Sequence, residues 1–330
     1  MSTVQMSMDE IEGVCRSVFS RNGCDQPNID ALTRTIVSAE RDGSDSHGLF
    51  RIPGYVASLR SGKVNGKAAP QVSNKTAAIV SVHGDNGYAP LAIELGIPVL
   101  AGSAKKLGIA AMAITHTHHF AALWPEVEAL AESGLVGFAC VCYKPAVAPF
   151  GAREALFGTN PISFAWPRPL KSPFVFDMAT ASMSMGEVML AAREGHSVPP
   201  GTGLDANGNE TTDPAKIVDG VLLPFGGYKG SAIAMMVELL AAGAIGERFS
   251  FEAAEADNND GGPPRGGQFI LAISPEIIAG KNWQQHCETF FDRFESIDGA
   301  RLPGVRRHTN RLSTAPRLVN ADLLEKIGQL

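Results

Sequence analysis

In the stretch Arg41-Asp42-Gly43-Ser44-Asp45-Ser46-His47-Gly48-Leu49-Phe50-Arg51, an imidazole stands next to a hydroxyl and one helical turn ahead of a guanidinium. Imidazole is the side chain whose ordinary pKa lies nearest neutrality, so His47 can give or take a proton at working pH. Arg51 can grip a carboxylate through two parallel hydrogen bonds. Together with Ser46, the pair offers the chemistry for handling a small carboxylic acid. The plain alternative is a polar turn between helices, bent at Asp42-Gly43, with Arg51 on the surface.

Other segments carry further candidates. Gly226-Gly227-Tyr228-Lys229-Gly230 opens an apolar helix, where glycines would let backbone N–H groups approach a phosphate and Lys229 would add positive potential. An ordinary glycine turn before a core helix is the alternative. Neither G-x-G-x-x-G after a strand nor G-x-x-x-x-G-K-[ST] occurs, which argues against a Rossmann domain and a nucleotide triphosphatase. Arg301 to His308 forms a basic cluster on an acidic protein. His116, His118 and His119 raise a metal hypothesis, because alternation on a strand would put His116 and His118 on one face. No carboxylate or cysteine completes that set nearby, so we expect no metal.

The elements that must position these residues follow from periodicity. Ser7 with Glu10 is a capping box ahead of Ile11, Val14, Cys15, Val18 and Phe19 at helical spacing. Asn28 is expected to cap a second helix with the face Ile29, Leu32, Ile36 and Val37. A third runs from Ile52 through Leu59 to Gly62, which leaves His47 at a junction of helices. From about Val72 the pattern changes. Strands are predicted over 77–82, 109–114, 135–141, 174–176 and 268–273, and helices over 89–107, 123–133, 230–246, 282–294 and 321–327. Segments 199–212 and 253–267 read as loops, the second as a mobile one. Cys140 and Cys142 share one strand face and read as small buried hydrophobes.

With 330 residues, 45% of them hydrophobic, the chain can bury a large core in two or more lobes. A net charge of -6 argues against a nucleic-acid binder. Met1 to Glu10 lacks the cationic start and apolar run of a secretory signal, and five cysteines show no metal-type spacing, so a cytoplasmic protein is expected. The apolar run 231–245 is short for a membrane span and contains Glu238.

Five motifs in order along the chain resemble those of the malate/L-lactate dehydrogenase family, which reduces 2-oxo and 2-imino acids with NAD(P)H on a non-Rossmann fold. They are the His47 stretch, Thr117-His118-His119-Phe120-Ala121-Ala122-Leu123-Trp124, Phe157-Gly158-Thr159-Asn160-Pro161, Asp177-Met178-Ala179-Thr180 and Pro224 to Gly230. Trp124, Ala191-Ala192-Arg193-Glu194-Gly195 and Met235 to Gly243 narrow the resemblance to the family's reductases of cyclic imino acids. That implies reduction of Δ1-piperideine-2-carboxylate and Δ1-pyrroline-2-carboxylate to L-pipecolate and L-proline.

The resemblance implies an α/β (α+β) architecture: a mostly antiparallel sheet domain that binds NADPH, over 71–294 with an excursion at about 181–220. A helical domain would be built from both chain ends, 1–70 and 295–330. It further implies a homodimer. By the same resemblance Ser46, His47 and Asp177 are catalytic, with Arg51, Thr159, Met185 and Gly186 on the substrate. His119, Phe120, Ala121, Ala122, Leu123, Asp177, Met178, Ala179, Tyr228 and Lys229 would line the dinucleotide. Pro303, Gly304, Arg306, Arg307 and His308 would lie on its phosphates and select NADPH. Asp177 would orient His47 or hold the nicotinamide amide and ribose, with helix capping as the alternative. Phe120 and Trp124 would pack on the substrate ring or serve as core aromatics. Hydroxy-acid branches often carry Lys where this chain has Glu187, so an extra anionic group on the substrate is less welcome here.

Three other readings stand beside this one. A 2-oxo acid reductase would use the same His47 and Arg51 on a carbonyl. A metal-dependent hydrolase would use the three histidines, and a binding protein would consume no NADPH.

Overall fold

The computed structural model describes residues 2–330. Its centre is a seven-stranded sheet built from β2 (Gln71–Thr76), β3 (Ile79–Tyr88), β4 (Ile109–His118), β5 (Val136–Val141), β6 (Ile162–Trp166), β7 (Phe174–Met178) and β11 (Arg265–Ile273), in the order β2-β3-β4-β11-β5-β6-β7. β3 and β4 are parallel, joined by the helix Ala89–Leu107, and every other neighbouring pair is antiparallel. The mostly antiparallel, non-Rossmann sheet is therefore the architecture. Apolar side chains of β3, β4, β5 and β11 pack with the helices Ala89–Leu107 and Trp124–Glu132 in the largest core. Cys140 and Cys142 lie buried in a separate cluster with Val237 and Ala241.

A second core joins the two ends of the chain. Ile11, Cys15, Val18 and Phe19 of the helix Met8–Arg21 pack against Ile29, Leu32 and Ile36 of Gln26–Arg41 and Ile52, Tyr55 and Val56 of Ile52–Arg60. Val319 and Ile327 come from the far end, where β12 (Arg317–Asn320) pairs with β1 (Thr3–Met6) and the helix Ala321–Gly328 follows. A third element is the excursion: the helix Met185–Glu194, the helix Pro214–Val218 and a small sheet of β8 (Gly203–Leu204), β9 (Glu210–Thr211) and β10 (Val221–Leu222). Its apolar side chains Val188, Val198 and Ile217 pack on Val147 and Phe157.

Several details differ from the sequence expectation. Asn28 does not cap the second helix. Asp25 does, accepting from the Asn28 N–H, because Pro27 must sit in the first turn where its missing N–H costs nothing. Asn28 instead bonds Asp25 and the Ala68 carbonyl from a buried position. The expected helix over 230–246 starts earlier, at Tyr228, and passes into a π turn at Leu239–Gly243. Segment 253–267 is not a free loop: Ser250–Glu255 is helical, β11 begins at Arg265, and Asp257 and Asp260 between them are held by Lys63 at 2.9 and 2.6 Å. Lys144 is a further partner of Asp257. β2 and β6 were missing from the expectation because Gln71–Thr76 is a polar edge strand and Ile162–Trp166 is only 5 residues long.

Candidate active site

The His47 motif folds as two consecutive 3-10 turns, Asp45–His47 and Leu49–Arg51, wedged between the helices Gln26–Arg41 and Ile52–Arg60. The Ser46 hydroxyl lies 3.1 Å from His47 Nδ1, which leaves Nε2 for a ligand. Arg51 donates its Nε to the Ser46 carbonyl at 2.7 Å and lies over the Phe120 ring at 4.5 Å. Phe120 in turn stacks on Tyr143 at 6.4 Å and meets Tyr55 edge-on at 5.4 Å. Among the described residues no carboxylate pairs with the Arg51 guanidinium, and its Nη groups have no protein acceptor. A half-buried, oriented and unpaired guanidinium is an anion receptor.

The free site holds His47 as a neutral imidazole. From the ordinary near-neutral value of an imidazole, burial, then the charges of Arg51 and His119, push its pKa down to about 3. A carboxylate on Arg51 would offset the second cause and raise the proton affinity of His47. Gly186 completes this wall, since a Cβ there would stand 3.8 Å from Ser46 Cβ. Met185 and Gly186 thus start the helix Met185–Glu194 beside Ser46, capped by Ser184 and Glu187. Thr159 is tied to Thr180, whose N–H reaches the Thr159 carbonyl at 2.8 Å.

A second group of segments converges on the end of β7. Asp177 Oδ2 accepts the N–H groups of Leu123 and Trp124 at 2.7 and 3.1 Å, so it caps the helix Trp124–Glu132. No hydrogen bond joins it to His47. Burial raises its carboxyl to about 6, against those two N–H groups. Met178 and Ala179 follow it, Met178 being exposed. Arg307 lies 5.1 Å from the centre of the Trp124 ring and donates to the Val175 carbonyl at 3.0 Å. His308 approaches the Pro173 carbonyl at 3.0 Å and Glu128 at 3.5 Å. Gly304, at φ 95°, lets the turn after Pro303 lie on β7, where a Cβ would meet the Val175 oxygen at 3.0 Å. Arg306 points outward and has no ion-pair partner among the described residues. His119, Phe120, Ala121, Ala122 and Leu123 thus run between the His47–Arg51 pair and the 303–308 turn.

Trp124 is 4% exposed and covered by Arg307, so it is a core aromatic and leaves Phe120 to face the site. The shared face expected for His116 and His118 does not form, because His116 at φ 57° breaks the strand alternation. His116 stacks on His83 at 4.1 Å, while His118 is held by the Pro263 carbonyl and Asn86 at 3.1 and 3.2 Å. His119 lies 3.5 Å from Glu126. Among the described residues no group of three or more His, Cys, Asp or Glu is placed to hold a metal ion.

Gly226 and Gly227 adopt φ 56° and 63°, and a Cβ on Gly230 would overlap the Phe225 carbonyl, so this turn requires its glycines. It presents the start of Tyr228–Glu238 with no side-chain cap. Tyr228 meets Phe150 at 6.3 Å, and no hydrogen bond or ion pair links Tyr228 or Lys229 to the 303–308 turn. Tyr143 escaped the sequence reading: one residue past Cys142 after β5, it carries no motif, and only the fold brings it to Arg51.

The mixed sheet with one parallel pair is a non-Rossmann α/β arrangement, and His47 and Arg51 lie between it and the helical core. The chain belongs to the malate/L-lactate dehydrogenase family, whose profile matches residues 6–318. It is 44% identical over 311 residues, 94% of this chain and 91% of the other, to the Delta(1)-pyrroline-2-carboxylate/Delta(1)-piperideine-2-carboxylate reductase of Pseudomonas putida. The structure of Delta1-piperideine-2-carboxylate reductase from Pseudomonas syringae pv. tomato superposes with a TM-score of 0.94 at 43% identity, covering 99% of each chain. Sulfolactate dehydrogenase from Methanocaldococcus jannaschii gives 0.88 at 27% identity over 99% of this chain and 97% of that one.

Proposed function

We propose that the protein reduces Δ1-piperideine-2-carboxylate and Δ1-pyrroline-2-carboxylate to L-pipecolate and L-proline, with NADPH as reductant. The observation that carries this reading is the placing of an unpaired, ring-stacked Arg51 beside a half-buried His47 in a chain 44% identical to such a reductase. Arg51 holds the substrate carboxylate, and Thr159, Met185 and Gly186 bound the ring. The imine nitrogen must carry a proton for its carbon to accept hydride. His47, oriented by Ser46, holds that proton at the nitrogen once the carboxylate has offset the Arg51 charge. Phe120, Tyr55 and Tyr143 exclude water around the pair and strengthen both contacts.

NADPH supplies the hydride when bound. The residues present fit it: His119 to Leu123 and Asp177 to Ala179 form a continuous wall, Tyr228 and Lys229 stand at an uncapped helix start, and Pro303 to His308 offer cations. Asp177 sets this wall by fixing the Leu123 and Trp124 peptides. Deuterium from the C4 position of labelled NADPH should appear at C2 of the product, and product without label would refute the reading.

The free cation Arg306 makes the choice of NADPH testable. Arg306→Ala should raise KM for NADPH by about 10-fold, the effect of losing one charge-assisted hydrogen bond. KM for NADH should stay unchanged in steady-state assays of the same variant.

The working unit in this reading is a homodimer in the cytoplasm. Tyr228, Met235 and Leu239 recur along one face of the helix that starts at Tyr228, and they are 63%, 51% and 56% exposed. Leu239→Glu should convert a dimer to a monomer in sedimentation or light scattering. Among the described residues no helix is long and apolar enough to cross a membrane.

A further inference from the structure

Glu40 is a buried carboxylate that the reaction does not touch. It lies one residue from the end of the helix Gln26–Arg41 and is 7% exposed. Its Oε1 accepts the Leu49 N–H at 2.6 Å, and Leu49 is itself fully buried. That peptide sits midway between His47 and Arg51. Gly48, just before it, leaves room for the carboxylate: a Cβ there would overlap Glu40 Oε1. Among the described residues no cation pairs with Glu40.

The groups around it explain its state. Arg317 of β12 spends its donors on the Glu40 and Arg41 main-chain carbonyls, at 3.2 and 2.8 Å, and reaches the carboxyl only as a distant charge. Asp45 in the turn repels it, and Cys15 faces it from the first helix. Burial pushes its carboxyl up to about 7, opposed by the Leu49 N–H. An unpaired buried carboxylate costs stability, and one peptide N–H returns little of it. What this arrangement does provide is a fixed main chain between the two groups that must meet one substrate.

We propose that Glu40 is a positioning residue, whose hydrogen bond to the Leu49 peptide sets the spacing and aim of His47 and Arg51. Its catalytic readout rests on the imine-reductase reading, but its structural readout does not. A displacement on the order of 1 Å in such a pair can cost about 100-fold in rate. Glu40→Gln keeps an acceptor for the Leu49 N–H and carries no charge. Glu40→Asp falls short by a methylene.

The test compares full-length wild type, Glu40→Ala, Glu40→Gln and Glu40→Asp by steady-state kinetics, NADPH binding and amide hydrogen exchange of the 45–51 segment. Glu40→Ala and Glu40→Asp should lose at least ~10-fold in kcat/KM for the imine and lose protection in that segment, with NADPH affinity within ~2-fold of wild type. Glu40→Gln should restore both activity and protection. Wild-type kinetics in folded Glu40→Ala would overturn the proposal, as would equal losses in Glu40→Gln or a matching loss of NADPH affinity. If Glu40→Ala does not fold, the Gln and Asp variants decide. If wild type reduces no imine, the functional reading falls, and the exchange pattern alone supports or overturns the positioning role.

Discussion

His47→Ala is expected to lower kcat for imine reduction by ~100-fold or more, the range measured for removal of a positioned acid or base. Ser46 Oγ is 3.1 Å from Nδ1, which in this reading leaves Nε2 for the substrate. NADPH affinity should hardly change, since His47 makes no contact with the 303–308 turn. The pH behaviour is equally specific. With its pKa pushed down to about 3, His47 stays neutral in the free enzyme, so kcat/KM should show no His47 inflection near 6.5. The depression also costs stability in acid. The unfolded chain takes up this proton below the ordinary histidine pKa while the folded chain resists it, so the contribution is full above that value and falls as pH drops towards 3. His47→Ala should therefore gain in Tm relative to wild type at acid pH, in paired thermal melts.

Arg51→Ala is expected to lower kcat/KM by about 100-fold, in line with the 2–5 kcal/mol typical of truncating one partner of a buried charge pair. The loss should appear in KM for the imine acid, because the guanidinium binds the carboxylate in ground and transition states alike. Arg51→Lys should rescue poorly. Lysine can reproduce neither the Nε bond to the Ser46 carbonyl nor the flat contact with Phe120 together with a two-pronged grip. Rescue to wild-type KM by lysine would show that only charge matters at this position.

Much of this site was legible in the chain before folding. Ser46, His47 and Arg51 are close in sequence, so a local turn brings them together, and Gly226-Gly227 and Gly230 announce a turn that only glycine permits. The capping box at Ser7 and Glu10 formed as read, because its partners lie three residues apart. Contacts between distant segments were not legible. Asp177 could be read as a partner of His47 or as a helix cap, and only tertiary packing placed its oxygen on the Leu123 and Trp124 peptides. Glu40 could not be singled out from the sequence, since its partner is a backbone N–H that carries no sequence signal. Lys63, Lys144, Asp257 and Asp260 meet across almost 200 residues and turn a segment with the composition of a mobile loop into a fixed one.

Whether this site reduces a cyclic imine carrying a carboxylate is decided by NADPH consumption, followed by absorbance with four acids in parallel. Turnover is expected with Δ1-piperideine-2-carboxylate and Δ1-pyrroline-2-carboxylate, at kcat/KM values at least ~100-fold above those for pyruvate and oxaloacetate. Turnover of the oxo acids with inert imines would contradict it and make the protein a 2-oxo acid reductase of the same family.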